Sequence, residues 1–346
     1  MSLGEIMNWN RRTVLVTGGC GHIGSFVVRK LLDKKVNRII IVDNFSAYPT
    51  NIYEGLLIND ISKFENVEII RGDISDRLFV SKVFSEEVDV VFHLAAYADV
   101  AATIYNPDED FRTNVIGTYN LLKLSLNRGI RRFVFASSAA VYGDKPWING
   151  PPKFSEDMKP EPQSTYANSK LWGENEAKLF YQLYGLNTVS LRYFSVYGPL
   201  QIPKPKSHSW AVAIFMMKAL KNRNLTVYGG QQVRDFIHVE DVAEATVRAA
   251  EVGGVEGKVI NIGTGRPTKI IELAHMIRDL IREAVGFKVE VEVLNYRPKG
   301  DPLGGYADIT KMLTLLGYTP RIVLEEGLEK TLKWYIQHQH LIPSWI

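Results

Sequence analysis

The chain has 346 residues, 46% of them hydrophobic and 23% charged, with a formal net charge of +3 at pH 7. Composition of this kind suits one large domain or two closely joined ones, and it excludes an extended disordered chain and a coiled coil. The weak positive charge is spread along the sequence and leaves no footprint for nucleic acid, no apolar run approaches the roughly 20 residues of a membrane span, and the single cysteine, Cys20, excludes an internal disulfide and fits a reducing cytoplasm.

The N-terminal stretch MSLGEIMNWNRR lacks the basic-then-apolar order of a secretion signal and is left out of the fold reading. TVLVT (13–17) then reads as a strand, followed by a helix over 23–34. RIIIVD (38–43), VEIIRGD (67–73) and DVVFHLAA (89–96) read as buried strands. A helix over 109–128 leads into the strand RRFVFASS (131–138), and a helix over 166–184 leads into TVSLRYF (188–194). Continuous β-branched runs alternating with helices predict a parallel sheet covered on both faces, the doubly wound α/β class. After Gly198 the pattern loosens: the loop 198–208 carries three prolines, and helices are expected near 209–221, 240–252, 268–284 and 323–338. The expected organisation is a dinucleotide-binding domain over 10–198 and a smaller, mainly substrate-binding lobe over 199–346, partly interleaved with the first.

The first strand runs into GGCGHIG, with Gly18, Gly21 and Gly24 at intervals of three and a helical pattern starting at once. One glycine allows the tight turn, one lets backbone approach a pyrophosphate, and one lets the helix pack close to the strand. His22 and Ile23 ride in the same loop, and the helix N-terminus offers free N–H groups to phosphate. The second strand ends in Asp43, followed by Asn44; a carboxylate here accepts both ribose hydroxyls and repels a 2′-phosphate. With no arginine behind it, NAD is expected over NADP.

SSAAVYG (137–143) ends a later strand, and YANSK places Tyr166 and Lys170 four apart on one face of a helix. A tyrosine of pKa ~10 is a poor base at neutral pH. A lysine ammonium beside it and a positive nicotinamide ring favour its phenolate, which can take a hydroxyl proton while hydride leaves the same carbon; Ser138 can hydrogen-bond that oxygen. A lone Tyr-x-x-x-Lys is usually a solvated helix face and a lone Ser-Ser a turn; their combination with the glycine loop carries the reading.

With these motifs, and with VDNFS, GDISD, HLAA, NVIGT, LRYFSVYGP, VRDFIHVEDVA, NIGTG and YADITK, the chain resembles the extended short-chain dehydrogenases/reductases. Within them it is most similar to the nucleotide-sugar epimerase/dehydratase family, in particular its UDP-glucose and UDP-N-acetylglucosamine 4-epimerases. The resemblance runs from about Thr13 to about Tyr335 and implies a Rossmann-type fold. It places Asp73 and Ile74 at the adenine, Leu94, Ala95 and Ala96 along the cofactor, Asn114 in its support and Tyr193 by the nicotinamide. It also places Tyr228 and Ser195 in the substrate site, Arg234 and Arg297 on the diphosphate and Asp301 on the uridine ribose.

Three positions depart from the family pattern. Ser195 stands where Asn is usual, Ala98 where some epimerases carry Lys, and RPKGD (297–301) has one residue more than Arg-x-Gly-Asp. The resemblance further implies a homodimer built from helices 109–128 and 166–184, with Val115, Tyr119, Leu122 and Leu126 as the motivating apolar spacing. No metal is expected, since His338 and His340 lack ligand company.

Dehydratases of this family carry an acid/base pair after the Ser/Thr; here Ala139 and Ala140 occupy those positions. Alanine transfers no proton, which leaves return of hydride to the other face of a 4-keto sugar: 4-epimerisation with NAD regenerated. A dehydratase with its acid elsewhere and a silent NAD-binding regulator are the alternatives. The resemblance implies that Gly305, counted from Asp301 and from Asp308, falls where in these epimerases a side chain limits the sugar's C2 substituent, so an acetamido group is expected to fit. The expected substrates are therefore UDP-Glc/UDP-Gal and UDP-GlcNAc/UDP-GalNAc.

Overall fold

The first strands are runs of Val and Ile because both faces are covered. In a computed structural model describing residues 7–46, 61–84, 87–204, 209–298 and 301–346, Thr13–Thr17 forms β1 and His22–Asp33 forms α1. Then come β2 (Arg38–Asp43), β3 (Val67–Arg71), α2 (Arg77–Val83), β4 (Val90–His93) and α3 (Val100–Tyr105). The helix α4 (107–128) starts as Pro107–Asp110, widens into a π-helical stretch over Phe111–Gly117 and continues as Thr118–Arg128. It ends at Gly129, whose φ of 63° is the left-handed conformation that closes a helix without steric cost. β5 (Arg132–Ser138), β6 (Lys153–Phe154), α5 (Thr165–Tyr184), β7 (Thr188–Tyr193) and β8 (Ser195–Tyr197) follow.

The second half contributes α6 (Ala211–Leu220), β9 (Leu225–Tyr228), β10 (Val233–Arg234), β11 (Phe236–His238), α7 (Val239–Glu251), β12 (Lys258–Ile262), β13 (Thr268–Lys269), α8 (Ile270–Val285), β14 (Val291–Leu294), β15 (Tyr306–Ala307), α9 (Thr310–Leu316) and α10 (Leu324–Gln337). Seven strands pair in the order β12-β7-β5-β4-β1-β2-β3, all parallel. This is the Rossmann-type order, with β12 from the second half forming one edge. The expected strand DVVFHLAA stops at His93, so Leu94, Ala95 and Ala96 lie in the loop beyond the sheet's carboxyl edge, where ligands bind in such folds.

Register brings the functional positions level. Ser138 lies opposite Tyr193, and Asp43 opposite Arg71. Two apolar clusters cover the two faces of the sheet. A third, built from α6, α8, α10 and β9 around Met216, Leu225, Ile277 and Leu332, forms the core of the second half. The N-terminal residues 1–6, residues 205–208 of the proline loop, and Lys299 and Gly300 of RPKGD lie outside the described residues. Among those described, no helix is long and apolar enough to cross a membrane.

Arg192 of β7 meets Glu174 of α5 through two hydrogen bonds of 2.8 and 2.7 Å, and both side chains are almost wholly buried. Ser137 Oγ lies 2.5 Å from the same carboxylate. Removing one partner of such a pair strands a buried charge, so Arg192→Met is expected to lower unfolding free energy by about 3–5 kcal/mol. Denaturant titration checks this, and adding Glu174→Gln, which removes the stranded charge, should recover part of the loss.

Candidate active site

The glycine loop is shaped by close backbone approach. Gly18 has φ of 71°, and a Cβ there would stand 2.6 Å from Ala95 N; a Cβ on Gly24 would stand 2.0 Å from Gly18 O. Gly21 caps α1, whose N-terminus opens onto the cleft. Asp43, 8% exposed, accepts hydrogen bonds from the N–H groups of Cys20 (3.0 Å) and Phe45 (2.8 Å), which ties the end of β2 to the loop. Burial raises its pKa, and the backbone N–H groups oppose that rise. A dinucleotide fits this cradle: small residues where phosphates approach, a helix N-terminus behind them, and a carboxylate at the ribose position.

A cleft of about 770 Å³ begins here and runs along the carboxyl edge of the sheet to Arg234 and Asp301. Gly18, Gly21, His22, Ile23, Gly24, Asp43, Asn44, Ile74, Leu94, Ala95, Ala96 and Tyr193 all line it. His22 is half-buried, and desolvation first, then His238, pushes its pKa down to about 3, so the ring is neutral. Asp73 does not line the cleft; its carboxylate accepts from Ser75 and pairs with Arg112 at 3.2 Å, leaving Ile74 to face the ligand. Asn114 also stands behind the wall, where its Oδ1 accepts from Tyr97 N at 2.8 Å and so holds the Tyr97 turn.

Ser138 and Tyr166 both line the cleft, where the nearby Ser138 hydroxyl favours the Tyr166 phenolate. α5 is started by Ser164, whose hydroxyl accepts from Ala167 N, so Tyr166 sits in its first turn at the cleft wall. Lys170 lies beneath, 3% exposed; its ammonium donates to Ala136 O at 2.9 Å and stands 5.8 Å from the Tyr166 ring centre. Burial pushes Tyr166 up to about 12 and Lys170 down to about 8. Without further positive charge the tyrosine keeps its proton; the cationic ring of a bound cofactor would favour the phenolate, as would a close Lys170 ammonium.

At the far end, Arg234, Asp301, Tyr228, Ser195 and Gly305 line the cleft. Arg234 Nη2 donates to Asp301 Oδ1 at 2.5 Å, and Gln232 Nε2 to Oδ2 at 2.7 Å. Arg297 departs from expectation. It does not line the cleft, because Asp144 takes its guanidinium at 3.2 Å, and the same carboxylate accepts from Leu303 N at 2.8 Å, drawing this loop toward the end of β5. Gly305 departs as well. A Cβ there would point away from open space, 2.3 Å from Pro152 O and 2.9 Å from the Phe154 ring, so the glycine answers the approach of β15 to β6.

Ala139 and Ala140 line the cleft as methyl groups. Among the described residues the lining side-chain carboxylates are all engaged: Asp43 as described, Asp99 as the cap of α3, Asp235 by Thr264, Gly265 and Ala307, and Asp301 by Arg234. The sequence reading missed Tyr97, Gln163, Ser164, Lys204, Trp345 and Ile346 as lining residues. Gln163 and Ser164 adjoin Tyr166 and were within reach of it; Lys204, Trp345 and Ile346 reach the cleft by tertiary folding that no local spacing signals.

Residues 14–263 match the model of the NAD dependent epimerase/dehydratase family. The UDP-glucose 4-epimerase of Thermotoga maritima, solved with UDP-glucose, superposes with a TM-score of 0.83 at 35% identity, covering 94% of this chain and 99% of that one. The UDP-N-acetylglucosamine 4-epimerase of Methanobrevibacter ruminantium M1, solved with UDP-N-acetylmuramic acid, superposes with a TM-score of 0.82 at 33% identity over 94% and 99%. The dTDP-glucose 4,6-dehydratase of Escherichia coli is similar at 30% identity over 351 residues, 94% of each chain.

Purified protein is expected to release NAD(H) in about one-to-one amount on denaturation, since an epimerase must keep its reduced cofactor until the hydride is returned. Gly24→Ala should release almost none while retaining its circular dichroism, because the added methyl group drives Gly18 O out of place. An NAD-replete Gly24→Ala protein contradicts the cradle.

Proposed function

This chain belongs to the NAD dependent epimerase/dehydratase family, an NAD-using epimerase by reaction class, and on that premise we propose that it inverts C4 of a UDP-linked hexose. The observation that carries this reading is the pairing of an intact Ser138/Tyr166/Lys170 set with a cleft lining of Ala139 and Ala140 and, among the described lining residues, no uncommitted side-chain carboxylate. Bound NAD supplies the hydride acceptor at C4 and, in the second half-reaction, the donor. Tyr166 takes the C4 hydroxyl proton and holds it until it is returned. Ser138 bonds that oxygen, and Lys170 biases Tyr166 toward the phenolate. Elimination of water across C5 and C6 needs a further acid and base, and here two methyl groups stand in their usual place.

The nucleotide end supports the UDP assignment through Arg234 and Asp301, which line the cleft beside Tyr228. Acceptance of the N-acetylated pair is part of the proposal. It is supported by the similarity to the Methanobrevibacter enzyme and by a backbone course at Gly304 and Gly305 that borders the cleft without a side chain. The room then comes from the chain path, fixed by Pro152 and Phe154, rather than from a missing side chain at 305. A cytoplasmic location fits the single buried cysteine.

Incubation with UDP-glucose, UDP-galactose, UDP-GlcNAc, UDP-GalNAc and dTDP-glucose, followed by NMR, is expected to show C4 epimers and no 6-deoxy product. Tyr166→Phe should slow turnover on the order of 10²–10⁴-fold, the usual cost of losing a general base. A 4-keto-6-deoxy product, or full-speed Tyr166→Phe, overturns the reading.

The second proposal is a homodimer through α4 and α5. The sequence pattern behind it needs correction: Leu122 is fully buried against the sheet, and Leu126 packs on the same cluster. Tyr119 of that pattern is exposed and Val115 half-buried; the exposed row adds Phe111 and Ile116 on α4, with Leu179 and Leu183 on α5. Contiguous large apolar side chains on two adjacent helices mark an interaction surface. Light scattering at micromolar concentration should give twice 39.1 kDa, and Leu179→Glu with Tyr119→Glu should give the monomer. A monomeric parent protein refutes the pairing.

A further inference from the structure

Asp110 is a charged side chain that the chemistry above leaves unused. It is 3% exposed, ends the first stretch of α4 just before the π-helical turn, and does not line the cleft. Its Oδ1 lies 2.5 Å from Asn114 Nδ2 and 2.9 Å from Ser169 Oγ. Ser169 immediately precedes Lys170, and its hydroxyl is also 2.9 Å from Tyr166 O. Asn114 in turn holds Tyr97 by both its N–H and its C=O, at 2.8 and 3.2 Å. One carboxylate thus joins the first turn of the catalytic helix, the widened turn of α4 and the cleft-lining turn at Tyr97. A π-helical turn of this kind is often found at functional sites.

We propose that Asp110 is a positioning residue for the proton-transfer pair, a buried carboxylate beyond the substrate's reach that supplies the counter-charge of Lys170. Lys170 makes its hydrogen bond to a neutral carbonyl, Ala136 O, and Asp110 is the charge that favours its ammonium against burial. The same charge opposes ionisation of Tyr166. The other titratable groups around this point are engaged or neutral. Asp99 caps α3 and Glu109 pairs with Arg112. Tyr97 is raised by burial. His93 on β4 is buried and lowered, and Lys204 lies over the Tyr97 ring. Asp110 itself is raised by burial and drawn down by Ser169, Asn114 and Lys170, which favour its carboxylate.

Tyr166 and Lys170 titrate as a coupled pair, and a nearby negative charge makes both of its protons harder to remove. Removing that charge therefore moves both steps to lower pH. The inference rests on the Tyr166/Lys170 reading, so its test uses the NAD-bound enzyme with UDP-galactose and UDP-GalNAc. The pH profile of kcat/KM should be bell-shaped in the parent protein. In Asp110→Asn both limbs should move acid by on the order of one pH unit, the scale of a close charge partner. Ser169→Ala takes one hydrogen bond from the carboxylate, which favours its neutral acid and so removes part of the charge. It should move both limbs the same way by less, and it serves if Asp110→Asn folds poorly. A purely structural role lowers the height of the bell and leaves its limbs in place. Unmoved limbs in a folded, NAD-replete Asp110→Asn, or in Ser169→Ala where that is the variant measured, overturn the inference alone. If Tyr166→Phe works at parental speed, the catalytic reading fails and this inference fails with it.

Discussion

Arg192 and Glu174 form an ion pair with almost no solvent contact, and the geometry of the carboxyl edge depends on it. Glu174 follows Tyr166 and Lys170 at four-residue steps, so all three share one face of α5. Arg192 sits on β7 beside Tyr193, and Ser137, one residue before Ser138, reaches the same carboxylate. The guanidinium lies 4.7 Å from the ring centre of Tyr142, whose hydroxyl donates to Asn261 of β12 at 2.6 Å. Asn261 then bonds Phe154 O and Asp308 O. One desolvated pair therefore links the strand that carries Ser138, the helix that carries Tyr166 and the two short strands that close the substrate end. Such a pair gains little net stability over an apolar filling; what it does here is fix register between elements that must agree to a fraction of an ångström.

The parts of this arrangement that were legible in the sequence are those with a local period. Unbroken runs such as RIIIVD reported strands buried on both faces, and GGCGHIG reported a turn where a Cβ has no room, which the contacts of Gly18 and Gly24 bear out. The four-residue step from Tyr166 to Lys170 placed both on one helix face, although the cleft wall shows only the tyrosine. In the second half the expected helices all formed, yet their relation to the site was hidden, because β12 returns to the sheet edge across a long separation in sequence.

The misses have a common physical origin. Arg297, Gly305, Leu122 and Leu126 were assigned by sequence position, and each was decided by a neighbour distant in the chain. Asp144 claimed Arg297, the carbonyl of Pro152 claimed the space beside Gly305, and the sheet claimed the two leucines. An i, i+4 spacing reports that residues share a helix face but not which way that face points. The pair Asp110 and Asn114 has the same spacing and was readable as a polar face; only tertiary contact shows that it lies under the catalytic helix rather than in water.

Charge is distributed unevenly along the cleft. At the substrate end Arg234 is already compensated by Asp301, so a diphosphate that binds there exchanges one anionic partner for another instead of neutralising a free cation. In the middle, burial keeps Tyr166 protonated and weakens the hold of Lys170 on its proton, while His22 at the phosphate loop is neutral. A cationic nicotinamide ring bound along this poorly solvated wall would favour the Tyr166 phenolate, because its field would be little screened there. Loading the cofactor would then also prepare the base. An enzyme that must retain its reduced cofactor through half of each cycle gains from this coupling. In the proposed reaction Tyr166 would hold the sugar's proton between the two half-reactions, the more firmly the less positive charge stands beside it.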